Sequence, residues 1–274
     1  MWIKKAEILQ LSEQIQRSMN GQEVDIRDNK EGALSILKND IYNLIHIEKE
    51  QRFVAGQEIE KQAEFLADIS HQLKTPLTSL MLMTNLLEDA SAEKQAQFIF
   101  QMKQELAHME WMVSTLLKMA KLDSGAIQFT PITISSKKLI EEAQKPLEIL
   151  LDIKNQNLEI KNQITMTCDK KWTVEALSNL LKNASECSKE GSTITVESGE
   201  NPMYQWIAVT DAGEGIPREK IAHLFQRFEN SQNENGYGIG LPLALSIIRK
   251  QDGDIEVVPG GNGQGATFIV KFFR

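Results

Sequence analysis

From Phe65 to Leu80 the chain sets Phe65, Leu66, Ile69, Leu73, Leu77 and Leu80 at helical spacing, with His71 on the opposite, wetter face and Pro76 shortly after it. Apolar residues at three- and four-residue intervals make this an amphipathic helix, expected to run to about Asp89. The proline removes one backbone donor, which predicts a bend in the turn before it and room beside the imidazole for something large. Ser91 is the expected cap of a second long helix, Lys94 to Leu122, whose apolar stripe comprises Phe98, Met102, Leu106, Met109, Met112, Leu116 and Met119. Two antiparallel helices with faces this wide cannot bury them alone. Pairing with a second chain into a four-helix bundle is the packing solution, with the methionines as adaptable core filler.

After Asp123-Ser124-Gly125, where the glycine suits a helix end and a hinge, the period changes. Short β-rich runs (Ile127–Ile132, Leu158–Ile160, Ile164–Cys168, Ser192–Glu197, Trp206–Thr210, Ile255–Val258, Ala266–Phe272) alternate with helices near Ser136–Leu151, Trp172–Ser188, Arg218–Phe225 and Leu241–Gln251. That order predicts an α/β sandwich with one helical face. Upstream, residues 1–60 read as a helix, a break from Asn20-Gly21 to Asp28-Asn29, and a second helix starting near Glu31. In that second helix Leu34, Leu37, Ile41 and Leu44 follow a coiled-coil seam. Val24 and Ile26 are placed to tuck a connector against the two helices.

A net charge of −8 argues against a nucleic-acid binder, which needs a basic stripe. No apolar run in the 274 residues reaches the roughly 18–20 needed to span a bilayer, and the N-terminus does not read as a signal peptide. Cys168 and Cys187 form no metal or disulfide framework and read as reduced thiols, although a pair is not excluded by spacing. His46, His108 and His223 lack the setting of His71 and read as ordinary surface or interface residues.

Three further boxes follow in order: Leu177-Ser178-Asn179-Leu180-Leu181-Lys182-Asn183-Ala184, Asp211-Ala212-Gly213-Glu214-Gly215-Ile216-Pro217, and Gly236-Tyr237-Gly238-Ile239-Gly240-Leu241-Pro242. Each is weak alone. Together, behind the His71-…-Thr75-Pro76 helix, they resemble the sensor histidine kinases of two-component signalling, from about Gln62 to the C-terminus. The resemblance implies an α plus α/β fold in three parts. Residues 1–60 would be a HAMP-like or plain coiled-coil relay, 61–125 a dimerising phosphotransfer hairpin, and 126–274 an ATP-binding domain of the gyrase/chaperone/histidine-kinase type.

Each box then has a physical task. Asn179 and Asn183 lie one turn apart on one helix face, and neutral oxygens suit a Mg2+ ion that bridges phosphates while keeping several waters. By resemblance Asn183 is the magnesium ligand and Asn179 supports the phosphate side. Asp211, at a strand end, can accept from an adenine amino group, and Gly213 and Gly215 allow a close backbone approach. Gly236, Gly238 and Gly240, leading into the helix at Leu241, make a phosphate cradle from permissive backbone and exposed amides. Phe225 and Phe228 are expected to anchor a short lid, Glu229 to Asn235, with Arg227 in reach of phosphate, and Thr267 falls near the adenine by resemblance.

Gyrase-type ATPases carry a glutamate where this chain has Asn179, and an amide cannot serve as general base for water. ATP is therefore expected to be held intact for His71, whose imidazole attacks the γ-phosphate and is phosphorylated on Nε2. An aspartate on a response regulator is the implied acceptor and a homodimer the implied assembly. The basic, amphipathic start Met1-Trp2-Ile3-Lys4-Lys5 suggests the cytoplasmic part of a membrane receptor whose spans lie upstream, against a soluble kinase that starts there. Some positions depart from the family pattern and one keeps it. Gln72 replaces the usual carboxylate beside the histidine and cannot take its proton, so slower autophosphorylation is expected, or a phosphatase-dominant or kinase-inactive scaffold. Thr75 matches the position that orients water for dephosphorylating the regulator. Glu186 and Cys187 stand where relatives place a basic and an aromatic residue, and Ala212 where they place asparagine.

Overall fold

The computed structural model describes residues 5–19, 25–27, 33–87, 90–228, 238–261 and 264–274. The expected break at 20–24 and 28–32, the N-terminal start, the hairpin turn at 88–89, the lid 229–235 and Gly236 lie outside these residues. The chain divides into two compact units, Met1–Gln72 and Leu73–Arg274.

In the first unit, helix α1 (Lys5–Met19) and the 33–72 part of helix α2 (Ala33–Leu87) flank residues 25–27. Ile26 is buried and so is Leu11 of α1, so the connector isoleucine does tuck inward as its spacing predicts. Arg27 is anchored beside it: its guanidinium pairs with Asp25 at 2.8 Å and lies 4.2 Å from the Tyr42 ring centroid. Leu37, Leu44, Ile47 and Val54 remain exposed on α2.

Helix α2 continues through Pro76 as one element, so the expected bend does not interrupt it. Thr78 Oγ1 donates to Lys74 O at 2.8 Å, one of the local side-chain bonds that decorate this turn. In the second unit, α2 ends at Leu87, and Gln95 Nε2 from helix α3 (Ala92–Asp123) caps its Leu87 carbonyl at 3.1 Å. Ser91 holds the cap position of α3 but its hydroxyl makes no capping bond, a correction to the expectation; its backbone carbonyl instead accepts from Gln95 N.

The apolar faces split in a way the stripe did not foresee. Met112, Met119 and Leu122 are buried, and the last two belong to the core of the α/β part, whereas Leu106 is exposed. Fully burying side chains of this size stabilises by about 1.5–3 kcal/mol each. The far half of α3 is thus committed to the α/β part, and Leu77, Met81, Leu82, Phe100, Val113 and Leu117 are left in solvent.

The α/β part holds strands β1 (Pro131–Ser135), β2 (Asn157–Lys161), β3 (Thr165–Asp169), β4 (Thr193–Glu200), β5 (Tyr204–Thr210), β6 (Gly253–Val258) and β7 (Thr267–Phe273). β1 and β3 make an antiparallel ribbon; the main sheet runs β2-β4-β5-β7-β6, with β2 and β4 parallel and the rest antiparallel. Alternation builds the core: Ile194 and Val196, Ile207 and Val209, Phe268 and Val270 point inward. Helices α4 (Ser136–Gln144), α5 (Glu148–Ile153), α6 (Lys170–Cys187), α7 (Arg218–Ile221) and α8 (Gly240–Arg249) complete it, with α6 packed between α4 and α8.

Three boundaries depart from the sequence reading. Residues 127–130 are irregular and the strand starts at Pro131. The helix expected over 136–151 is broken into α4, a 3-10 turn at Lys145–Leu147 and α5, because Pro146 supplies no amide to continue the ladder. The helix expected over 218–225 stops at Ile221 and gives way to turns ending at Phe228, whose φ of 66° lies in the left-handed region.

Candidate active site

Helix α6 is the spine of the site. Asp169 caps it, accepting from Trp172 N at 3.0 Å. Thr173, Ala176, Leu177, Leu180, Leu181 and Ala184 are buried at helical spacing. That phase leaves Asn179 and Asn183 half-buried on another face. Asn179 Nδ2 donates back to Glu175 O at 2.8 Å, which turns Oδ1 toward the start of α8: a Cβ built on Gly240 would lie 3.0 Å from it. The Asn183 amide makes no hydrogen bond to the protein among the described residues.

The far end of α6 is held by residues that local patterning did not reveal. Gln156, buried after α5, donates Nε2 to the carbonyls of Ser185 (3.1 Å), Ser188 (3.1 Å) and Lys189 (3.2 Å), and its Oε1 accepts from Ser185 Oγ at 2.6 Å. Lys154 Nζ adds a bond to Ser185 O at 2.8 Å. Carbonyls that a helix end would leave orphaned are therefore satisfied from one glutamine. Ser188 Oγ in turn accepts from Ala212 N at 2.9 Å, tying α6 to the Asp211 loop. The Gln156 contacts span 29 to 33 residues, and a lone glutamine between two elements carries no sequence signal for them.

Asp211 is 6% exposed. Its Oδ1 accepts from Gly213 N at 2.8 Å and Ala266 N at 3.2 Å. No donor among the described residues is bonded to Oδ2. Burial pushes this carboxyl above the usual carboxylate range, and the two backbone amides offset part of the rise. The glycines around it are required by protein backbone rather than by open space: an added Cβ would meet Cys187 O at 2.6 Å from Gly213, and Asp211 O at 2.0 Å from Gly265. At Gly215, φ is 84° and an added Cβ would lie 2.7 Å from Pro259 O. Thr267 sits opposite Thr210 in the sheet, and their hydroxyls share a 2.9 Å hydrogen bond.

Phe225 packs on the core and Phe228 is buried. Phe228 N donates to Gly238 O at 2.9 Å, and a Cβ at Gly238 (φ 66°) would strike Phe228 Cα at 2.8 Å. Leu241 is half-buried in the first turn of α8, against the core. Arg227 Nη2 lies 2.9 Å from Asp123 Oδ2 at the end of α3. Cys187 is exposed and Cys168 buried, both as free thiols. Burial raises Glu186, with Lys182 3.8 Å away opposing the rise. On α2, His71 and Thr75 are exposed and Gln72 is half-buried.

These features fit a nucleotide with its metal. A buried acceptor, Asp211, suits an exocyclic amine. Asn183 offers an oxygen with no protein bond to break, which suits a hard cation completed by phosphates and water. Among the described residues no group of three His, Cys, Asp or Glu could hold a metal by itself.

Residues 61–125 match the family model of the His Kinase A (phospho-acceptor) domain, and residues 168–274 that of the histidine kinase-, DNA gyrase B- and HSP90-like ATPase. The chain belongs to the two-component sensor histidine kinases. The chain is similar to the heme sensor protein HssS of Staphylococcus saprophyticus, 26% identical over 280 residues covering 97% of this chain and 57% of that protein. It is also similar to the sensor histidine kinase YkoH of Bacillus subtilis, 27% identical over 262 residues covering 90% of this chain and 56% of that protein. The chain thus spans little more than half the length of these curated relatives. In fold it is similar to the Acinetobacter baumannii histidine kinase AdeS, with a TM-score of 0.60 at 21% identity, covering 74% of this chain and 97% of that one. The histidine kinase ThkA, solved in complex with response regulator protein TrrA, gives 0.65 at 20% identity over 82% of this chain and 66% of that one. Among the described residues no helix is long and apolar enough to cross a membrane.

Proposed function

We propose that this chain is the kinase core of a sensor protein that transfers the γ-phosphoryl group of Mg-ATP to His71 and from there to an aspartate of a response regulator. One observation carries this reading. The chain joins an exposed histidine, inside the matched phospho-acceptor segment, to a matched ATPase domain whose α6 carries Asn179 and no carboxylate at that place. An amide cannot deprotonate water, so the domain favours a donor held for another nucleophile.

In this mechanism Asp211 Oδ2 accepts from the adenine amine, and Thr267 borders the base. Asn179 and the amides at the start of α8, around Gly240 and Leu241, face the phosphates. Asn183 would hold Mg2+, which would neutralise phosphate charge during the transfer. The neutral imidazole of His71 attacks the γ-phosphorus; an N–P bond forms, the bond to the bridging oxygen breaks, and ADP leaves with that electron pair. Gln72 can orient the ring by hydrogen bonding but cannot take its proton, which passes to solvent. Thr75 serves the reverse task, orienting water against the phosphorylated regulator.

The exposed apolar residues of α2 and α3, with the groove of about 510 Å³ between Thr84, Leu87, Ile99, Met102, Lys103 and Leu106, support pairing with a second copy into a four-helix bundle. The buried Ile26 connector between two helices supports a HAMP-like relay in residues 1–60; the curated relatives are longer than this chain, which leaves room for the membrane-anchored sensor of the same reading. A phosphatase-dominant member is the second reading, favoured by Gln72.

Incubation with γ-labelled ATP tests the proposal. Wild-type protein should take up acid-labile, base-stable label and pass it to a receiver domain, while His71→Ala takes up none. Label that persists in His71→Ala, or wild type that binds ATP yet never labels with any receiver or signal present, overturns it.

A further inference from the structure

Asp123 closes α3, immediately before Ser124 and the left-handed Gly125 (φ 67°). Arg227 belongs to the turn that delivers Phe228 to its backbone bond with Gly238. Their 2.9 Å ion pair therefore links the end of α3 to the stem of the glycine run. Other polar ties between α3 and the α/β part accompany it. Lys118 pairs with Glu175 at 2.7 Å, and Lys182 lies 4.6 Å from the Trp111 ring centroid.

From these contacts, and resting on the ATP-binding reading above, we infer that Arg227 is shared between Asp123 and the nucleotide triphosphate, so that docking of α3 and nucleotide binding compete for one guanidinium. The sequence gives the competition its force. From Phe228 to Gly238 the chain carries Glu229 and Glu234 and no lysine or arginine, and the next cation after the glycine run is Arg249, at the far end of α8. Lys182, on the Asn183 face, is engaged with Trp111 and Glu186. A triphosphate entering this site meets few cations, and a planar fork such as Arg227 binds phosphate and carboxylate equally well. Arg227 in this role is a positioning residue for α3 as well as a nucleotide contact. The coupling is reciprocal: a nucleotide that recruits Arg227 loosens the end of α3, and a docked α3 weakens nucleotide binding by the same factor.

The pair is partly open to solvent, with side-chain exposures of 34% and 50%, so the factor is modest, at most about fivefold. The test is a double-mutant cycle read by calorimetric titration with a non-hydrolysable Mg-ATP analogue. Asp123→Asn should tighten binding about two- to fivefold. Arg227→Gln should weaken it, and adding Asp123→Asn to Arg227→Gln should change nothing further. Asp123→Glu, which keeps the charge, should retain wild-type affinity. An unchanged affinity in Asp123→Asn, or an equal gain in both Arg227 backgrounds, overturns the coupling while leaving the ATP reading intact; the second result marks a general charge effect. Wild-type protein that binds no nucleotide overturns both.

Discussion

Replacing Asp211 by asparagine separates base recognition from folding. The buried carboxylate spends Oδ1 on two backbone amides, at 2.8 and 3.2 Å, and Oδ2 has no donor among the described residues. Asparagine can keep its carbonyl on those amides, which turns its NH2 toward the base. An adenine amine then faces a donor instead of an acceptor. Loss of a hydrogen bond to a charged acceptor costs about 1.5–3 kcal/mol, or roughly 10- to 150-fold in affinity at 25 °C. Guanine, which offers a carbonyl oxygen at the same place, should lose less, so the ATP-to-GTP preference narrows. The effect on folding has the opposite sign. Burial raises the Asp211 pKa in the folded state, so its contribution to stability is full below the unfolded value of 3.8 and is lost as pH rises through the raised one. At neutral pH the folded protein carries a desolvated charge that asparagine removes. The melting temperature of Asp211→Asn should therefore equal or exceed wild type at pH 7, and that difference should fall as the pH is lowered. Titration calorimetry with ATP and GTP analogues, beside thermal melts between pH 4 and 8, checks both halves. Unchanged ATP affinity refutes the base contact. Lost affinity with a lowered melting point at pH 7 refutes the division of labour and makes Asp211 a structural residue.

Gln72→Glu should raise the initial rate of His71 labelling, by roughly the 10²-fold or more that a positioned acid–base group supplies where proton removal limits the step; an equal or slower rate would reject that role. Thr75→Ala should slow dephosphorylation of a labelled receiver while sparing His71 labelling, and an unchanged phosphatase rate would remove Thr75 from the mechanism.

The succession of strands and helices along the chain, the helical face and the spacing of the boxes were legible because each is written in local period. Ile194 and Val196 alternate, Leu177, Leu180, Leu181 and Ala184 wind, and both patterns survive folding unchanged. The errors lie where one residue overrides a period, as Pro146 does within the helix expected over 136–151. Others arise where a backbone demand is set at a distance, as at Phe228, held in the left-handed region by its bond to Gly238. The stripe on α3 was read as serving the bundle alone, because periodicity marks a buried face without naming what buries it. Met119 and Leu122 turn to the α/β core instead. The site was legible as a list and not as an arrangement: Asn179, Asn183 and Asp211 stood out, whereas Gln156 and the Asp123–Arg227 pair come from contacts across 29 and 104 residues.

Helix α2 passes without interruption from Tyr42, clasped by Arg27, to His71. Each residue of such a rod advances about 1.5 Å and turns about 100°. One residue added between these points would swing the imidazole a quarter-turn and more around the axis, while seven would return it to within about 20° of its original azimuth. The compass bearing of His71 is thereby indexed, residue by residue, to a clasp in the connector.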